Sequence, residues 1–302
     1  MSILHAEAEE YLALRRALGF KLRREGYYLP QFATWMRERG AVTVTTALAI
    51  EWAGLPAGVH PVTWSHRLSA VRQFTRWLAV TDPETEVPPD RVFPGQGSRP
   101  DPYIYSDEEV AAILSAARVL RPAFWAATFQ TLVGVLAVTG IRIGEALALA
   151  SDDIDLDAGT LTVREGKSRS PRMLPLHPET TAALAEYAAA RDALYRGADT
   201  FFTTARGRPL NDGTVREAFH RMARAAGIQH DGKDPRVHDL RHTFAVRQML
   251  EWYRAGRDAG DLTLLSGYLG HANPADTYWY VSAVPELMQL AAGRLARNGA
   301  QP

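Results

Sequence analysis

The chain contains no cysteine. That excludes disulfides, thiol nucleophiles and thiolate metal sites, and it fits a reducing compartment. No apolar run reaches the roughly 18 residues that a membrane span needs, so no membrane partner is expected. The opening residues, MSILHAEAEEYLALRR, lack the basic-then-apolar order of a secretory leader, and a cytoplasmic location is the expectation. A Gly-rich phosphate loop and a His-Glu-x-x-His pair are missing too. DIDLDAG imitates a calcium loop from Asp153. However, Ala158 stands where that loop needs glycine, and Arg164 where it needs a bidentate glutamate. Asp153, Asp155 and Asp157 therefore read as the wet face of an edge strand, and no metal or other cofactor is expected. An excess of charge is absent as well: 34 basic and 34 acidic residues leave a formal net charge of zero. Whole-chain charge thus gives no support to a polyanionic partner.

The distribution of that charge is more informative. Residues 11–39 hold seven basic groups against two acids, and 205–257 hold eleven against six, so each stretch carries +5. Two basic patches on a neutral chain fit a polyanion footprint, and equally a pair of solvated helix faces. A length of 302 residues is enough for two domains, each with its own core. The division falls at TDPETEVPPDRVFPGQGSRPDPY (81–103), where six prolines interrupt the apolar periodicity and predict an extended linker. We place a helical domain at 1–82, a linker at 83–104 and a second domain at 105–302.

The first domain reads as about four helices. In the last of them, Leu68, Val71, Phe74, Thr75 and Leu78 share a stripe, with Arg67, Arg72 and Arg76 off it. In the second domain, Ser106 with Glu109 forms a capping-box pattern, and an apolar helix from about 123 to 138 stops at Gly140. LTVRE and PRMLPL read as two strands around the turn GKSRS, with DIDLD as a short strand before them. Helices then resume to the end, the last starting at Pro285 and spanning 285–298. The fold class is mainly α with a small antiparallel sheet, an α+β second domain following a helical bundle.

What remains is a scattered polar set: Arg142 and Glu145 in TGIRIGEALAL, Lys167 in EGKSR, His238 and Arg241 in HDLRH, and His271 in LGH. Each alone has an ordinary surface or helix-end role. Their order resembles the tyrosine recombinase (phage-integrase) family, whose pattern is Arg, Lys, His-x-x-Arg, His or Trp, and a nucleophilic Tyr. HDLRHTFA matches its second-arginine motif almost residue for residue. The family's spacing from the Leu-Gly-His histidine to its nucleophile matches Tyr280 rather than Tyr278, leaving Tyr278 and Trp279 as packing groups and Tyr268 as core.

The resemblance implies site-specific DNA cutting and rejoining through a 3′-phosphotyrosyl intermediate, without metal or ATP. Tyr280 is then the nucleophile, Arg142 and Arg241 the phosphate clamps, and Lys167, at the hairpin tip, the general acid. His238 assists proton transfer, His271 serves the phosphate, and Glu145 supports an arginine. The implied partners are duplex DNA with inverted repeats, accessory recombinases, and further copies of the chain. These would form a dimer on a site and a tetramer in the synapse, joined by helix 285–298. Arg15, Arg16, Lys21, Arg23, Arg24, Arg67, Arg72 and Arg76 are the expected DNA contacts of the first domain. A mobile-element recombinase in the nucleoid is the favoured setting. A type IB topoisomerase, or a DNA-binding relative without strand exchange, is the alternative. One departure is a longer connection over 250–262, read as an enlarged loop.

Overall fold

The structure, a computed structural model, describes residues 3–94, 102–164, 171–229, 235–257, 260–271 and 273–298. The chain divides into two compact units, 1–100 and 101–302.

The first unit is built from α1 (Ile3–Ala17), α2 (Arg23–Glu38), α3 (Thr46–Gly54) and α4 (Pro61–Leu78). Pro61 opens α4 at a position where its missing N–H costs nothing, and the His60 ring caps the helix by accepting from the Val62 N–H. All five stripe residues of α4 are buried, around an aromatic cluster of Tyr11, Phe32, Phe74 and Trp52.

Two of the three arginines placed off that stripe are not on the outside. Arg67 is 7% exposed, with its guanidinium 3.7 Å over the Trp52 ring and donating to the Trp52 carbonyl. Arg72 is 8% exposed and donates to the carbonyls of Pro88 and Pro89 while pairing with Asp90. Long arginine side chains bury their stems and carry planar donors, so they satisfy orphan carbonyls that an apolar residue leaves open. The first part of the proline-rich segment, expected as an extended linker, has contacts of its own. Over 82–94 it lies against the first unit, held by Arg72, by the Glu86 N–H to the Val44 oxygen and by the Ser65 hydroxyl.

The second unit begins with α5 (Asp107–Ala116), whose Ser106–Glu109 capping box forms in both directions. Next come α6 (Ala123–Thr139), α7 (Ile143–Leu147) and a sheet of β1 (Ile154–Asp155), β2 (Thr160–Val163) and β3 (Arg172–Pro175), antiparallel in that order. Then follow α8 (Pro178–Leu194), α9 (Asp212–Ala225), α10 (Asp239–Arg254), α11 (Gly260–Leu269), α12 (Ala275–Ala283) and α13 (Pro285–Asn298). The apolar α6 is central, with α5, α8, α9 and α10 packed around it. Asp153 is not on a wet face. It is buried, pairs with Arg164 and accepts from the Ala150 N–H.

The longer connection is mostly helix. α10 continues through Trp252 and Tyr253 to Arg254 because no glycine or proline interrupts it before Gly256, and Tyr253 packs on the core of α10–α12. α13 lies on α10 and α12 of its own chain, with Leu287 fully buried. α6 ends at Gly140, which takes φ 62°. A Cβ there would run into the Phe244 ring and come within 3.2 Å of Leu269. Gly140→Ala is expected to cost roughly 2–4 kcal/mol, read as a lower midpoint in thermal or urea unfolding.

Candidate active site

Three helix ends and one strand meet where the sequence places its polar set. The Gly140 turn swings the chain into α7, and Arg142 caps it: the Glu145 carboxylate returns to the Arg142 N–H at 3.0 Å, and the Arg142 guanidinium pairs with the same carboxylate at 3.0 Å. A second arm of Arg142 donates to the Gly270 carbonyl at 2.9 Å. Arg241, in the first turn of α10, donates to the carbonyls of Gly140 and Leu269, both at 2.7 Å. The carbonyl end of α11 is thus crossed by cations, where unpaired carbonyls and the helix dipole favour positive charge.

The electrostatics follow from burial. Arg241 is 3% exposed. Desolvation lowers its guanidinium to about 10, with Arg142 pushing the same way and Tyr280 and Glu145 opposing. It remains a cation at neutral pH. Glu145 is 5% exposed, and burial by itself pushes its carboxyl up. Hydrogen bonds from Arg172 and the Arg142 N–H, with the charges of both guanidiniums, outweigh that and hold it below the usual 4.5. A depressed carboxylate contributes stability that is present above its ordinary value and is lost as pH falls through its folded value. Glu145→Gln is therefore expected to lose about 3 kcal/mol at neutral pH. Its melting temperature should approach that of the unsubstituted protein only as the pH drops below about 4.5.

His271 follows Gly270 directly. Its Nδ1 lies 2.7 Å from the hydroxyl of the buried Thr277, which sets the ring's orientation. His238 is exposed at the N-terminus of α10, its ring edge-on to His242 at 4.8 Å. Tyr280 on α12 is 1% exposed, and its hydroxyl lies 2.7 Å from His242 Nδ1. Trp279 packs beside both rings, whereas Tyr278 is 50% exposed and is not a packing group. Tyr268 stacks on Phe244.

The structure brings Arg142, Glu145, Arg241, His238, His271 and Tyr280 into one site; Lys167 lies outside the described residues. The base of its hairpin is in place, since Val163 pairs with Arg172, five residues beyond Lys167. Arg172 is itself part of the site. It donates to Glu145 at 2.7 Å and to the Tyr268 carbonyl at 2.7 Å, tying the hairpin to the arginine cluster.

Arg172, His242 and Thr277 escaped the sequence reading. His242 was adjacent to Arg241 and one helical turn after His238, a spacing that places the two histidines side by side. Arg172 had the signal of a cation at the start of a strand leading back from the hairpin. Thr277 had none. Among the described residues no group of three or more His, Asp or Glu is arranged to hold a metal, and no helix is long and apolar enough to cross a membrane. Arg142 and Arg172 share the single Glu145 carboxylate, and Arg241 adds a third guanidinium held by backbone carbonyls alone, which leaves an excess of positive charge in the cluster that holds the Tyr280 hydroxyl. Such an arrangement suits a phosphate rather than a cation.

The sequence model of the phage integrase family matches residues 104–286. The chain is 38% identical to "Putative integrase/recombinase y4rB" of Sinorhizobium fredii, over 99% of this chain and 98% of that protein. It is 31% identical to the tyrosine recombinase XerD of Caulobacter vibrioides, over 76% of this chain and 73% of that one. Among solved structures, a lambda integrase tetramer bound to a Holliday junction superposes with a TM-score of 0.62 at 20% identity. That superposition covers 92% of this chain and 76% of the other.

Proposed function

The chain belongs to the phage integrase family and is a tyrosine recombinase, an enzyme that cuts and rejoins DNA at specific sites, and on that premise we propose that Tyr280 is the residue to which the cut strand is joined. What carries this reading is the buried Tyr280 hydroxyl in one cluster with Arg241, whose two arms are anchored on Gly140 and Leu269.

A phosphodiester repels nucleophiles because its oxygens are anionic, and attack adds further charge. Arg142 and Arg241 present planar donors to those oxygens and supply the stabilisation that a metal gives elsewhere. Tyr280 attacks phosphorus and the 5′-oxygen leaves, protonated by Lys167. A phenol is a fair leaving group in turn, so an incoming 5′-hydroxyl reseals the strand without ATP. His271, oriented by Thr277, donates to the phosphate, and His238 assists proton transfer.

The partner in this reading is duplex DNA carrying inverted repeats. Two copies bind a site and four form the synapse, with accessory recombinases of the same class and a mobile element as the setting. A cytoplasmic, nucleoid-associated protein fits that role. The first unit takes the DNA-binding part, through the exposed corner between α1 and α2, where Arg16, Lys21, Arg23 and Arg24 lie beside Arg15, and through Arg76. Arg67 and Arg72 are withdrawn from this set by their carbonyl contacts. Contacts to phosphates position without specifying sequence. α13 links neighbouring copies in the synapse, which requires it to leave the groove on its own α10.

The test is covalent trapping of the full chain on a nicked suicide duplex in EDTA, with the linked peptide identified by mass spectrometry. The expected product is a DNA adduct on Tyr280. An adduct on another residue, or one formed only with added Mg²⁺, would overturn the reading.

A further inference from the structure

The Tyr280 hydroxyl is bonded to His242, which stands inside the HDLRHTFA motif but is not one of the residues to which the family resemblance assigns a catalytic role. His242 Nδ1 lies 2.7 Å from Tyr280 Oη, and the two side chains are among the least exposed of the site. His242 is held on three sides, by Tyr280 at 5.5 Å between ring centroids, Trp279 at 5.7 Å and His238 at 4.8 Å. It follows Arg241 in α10, so the helix that clamps the phosphate also carries this contact.

We propose that His242 is a further catalytic residue, holding the Tyr280 hydroxyl for attack and accepting its proton as the phosphotyrosyl bond forms. The proposal rests on Tyr280 being the nucleophile. A free phenol keeps its proton to about pH 10, and the oxygen becomes far more acidic as it bonds to phosphorus. The proton must therefore pass to a nearby base during attack, and a buried hydroxyl has little bulk water beside it. A neutral imidazole at hydrogen-bond distance is suited to that task, because its ordinary pKa lies near working pH.

The step balances. An Oη lone pair forms the Oη–P bond, and the phenolic proton moves to His242 Nδ1. The P–O5′ bond breaks with its electron pair going to O5′, which takes a proton from Lys167. In rejoining, the incoming 5′-hydroxyl gives its proton to Lys167 as the O5′–P bond forms, the P–Oη bond breaks with its electron pair going to Oη, and His242 returns the proton to Oη. Neutral His242 in this role carries its hydrogen on Nε2.

His242→Asn separates holding from proton transfer. The asparagine amide oxygen falls near the Nδ1 position and still accepts the Tyr280 hydrogen bond, but it cannot take the proton. Single-turnover adduct formation on a nicked suicide duplex, with full-length protein in excess, is expected to slow by at least ~100-fold in His242→Asn. DNA Kd is expected to stay at its original value, and the melting temperature to fall only by the cost of the lost ring packing, with the protein still folded at the assay temperature. A rate equal to or above the unsubstituted protein's would overturn the proposal. So would a slower rate that merely tracked weaker DNA binding or lower stability. If the unsubstituted protein itself formed no adduct, or formed it elsewhere than Tyr280, the nucleophile assignment would fail first, independently of His242.

Discussion

Tyr280→Phe is expected to form no covalent DNA adduct while still binding and folding. The substitution removes one oxygen from a ring that is 1% exposed, so the packing against His242 and Trp279 stays in place. The cost in stability is the hydrogen bond to His242, about 1 kcal/mol. The chemical cost is total, since no other atom of that side chain is able to bond to phosphorus. A denaturing gel of labelled suicide DNA reads the adduct directly, and a binding assay on intact duplex should show an unchanged Kd. Tyr278→Phe is the matched control. That ring lies two residues away and is half exposed, and its variant is expected to react at the original rate. An adduct that persisted in Tyr280→Phe and vanished in Tyr278→Phe would transfer the assignment.

The second large effect falls on Arg241. Its two arms hold the Gly140 and Leu269 carbonyls at 2.7 Å, and a guanidinium in this position carries charge with donors to spare for a phosphate oxygen. Lysine keeps a positive charge but is a single compact donor group on a flexible stem, without the planar fork that spans both carbonyls. Arg241→Lys is therefore expected to lower the single-turnover adduct rate by about 10³-fold. It should also cost about 2–3 kcal/mol in unfolding free energy, because a buried carbonyl loses its charged donor. The two losses are separable. Gly140→Ala disturbs the same corner without removing the cation, so it should reproduce the stability loss with a smaller loss in rate. A lysine variant that reacted as fast as the unsubstituted protein would remove Arg241 from the phosphate site.

Burial accounts for what the sequence showed and what it hid. Helix periodicity, the Ser106–Glu109 capping box, the Gly140 stop and the alternating strands depend on neighbours within a few positions, so they are legible along the chain. HDLRH and LGH are local in the same sense: their spacing puts Arg241 and His271 where helix geometry sends them.

The rest depended on contacts between residues far apart in the chain. Arg67 and Arg72 looked like solvated cations because the sequence gives no sign that the Trp52, Pro88 and Pro89 carbonyls lie within their reach. Asp153 looked like part of a wet acidic face until Arg164 crossed the hairpin to it. Glu145 was legible as a support for Arg142, three residues earlier, but not as the meeting point of Arg142 and Arg172.

Above all, the sequence pointed to which tyrosine to examine, because its distance from Leu-Gly-His matches the spacing of the family it resembles. Only the tertiary structure decided what touches that tyrosine. His242 is 38 positions away, and the 2.7 Å contact exists because α10 and α12 pack side by side in one apolar core, a proximity that no local pattern encodes.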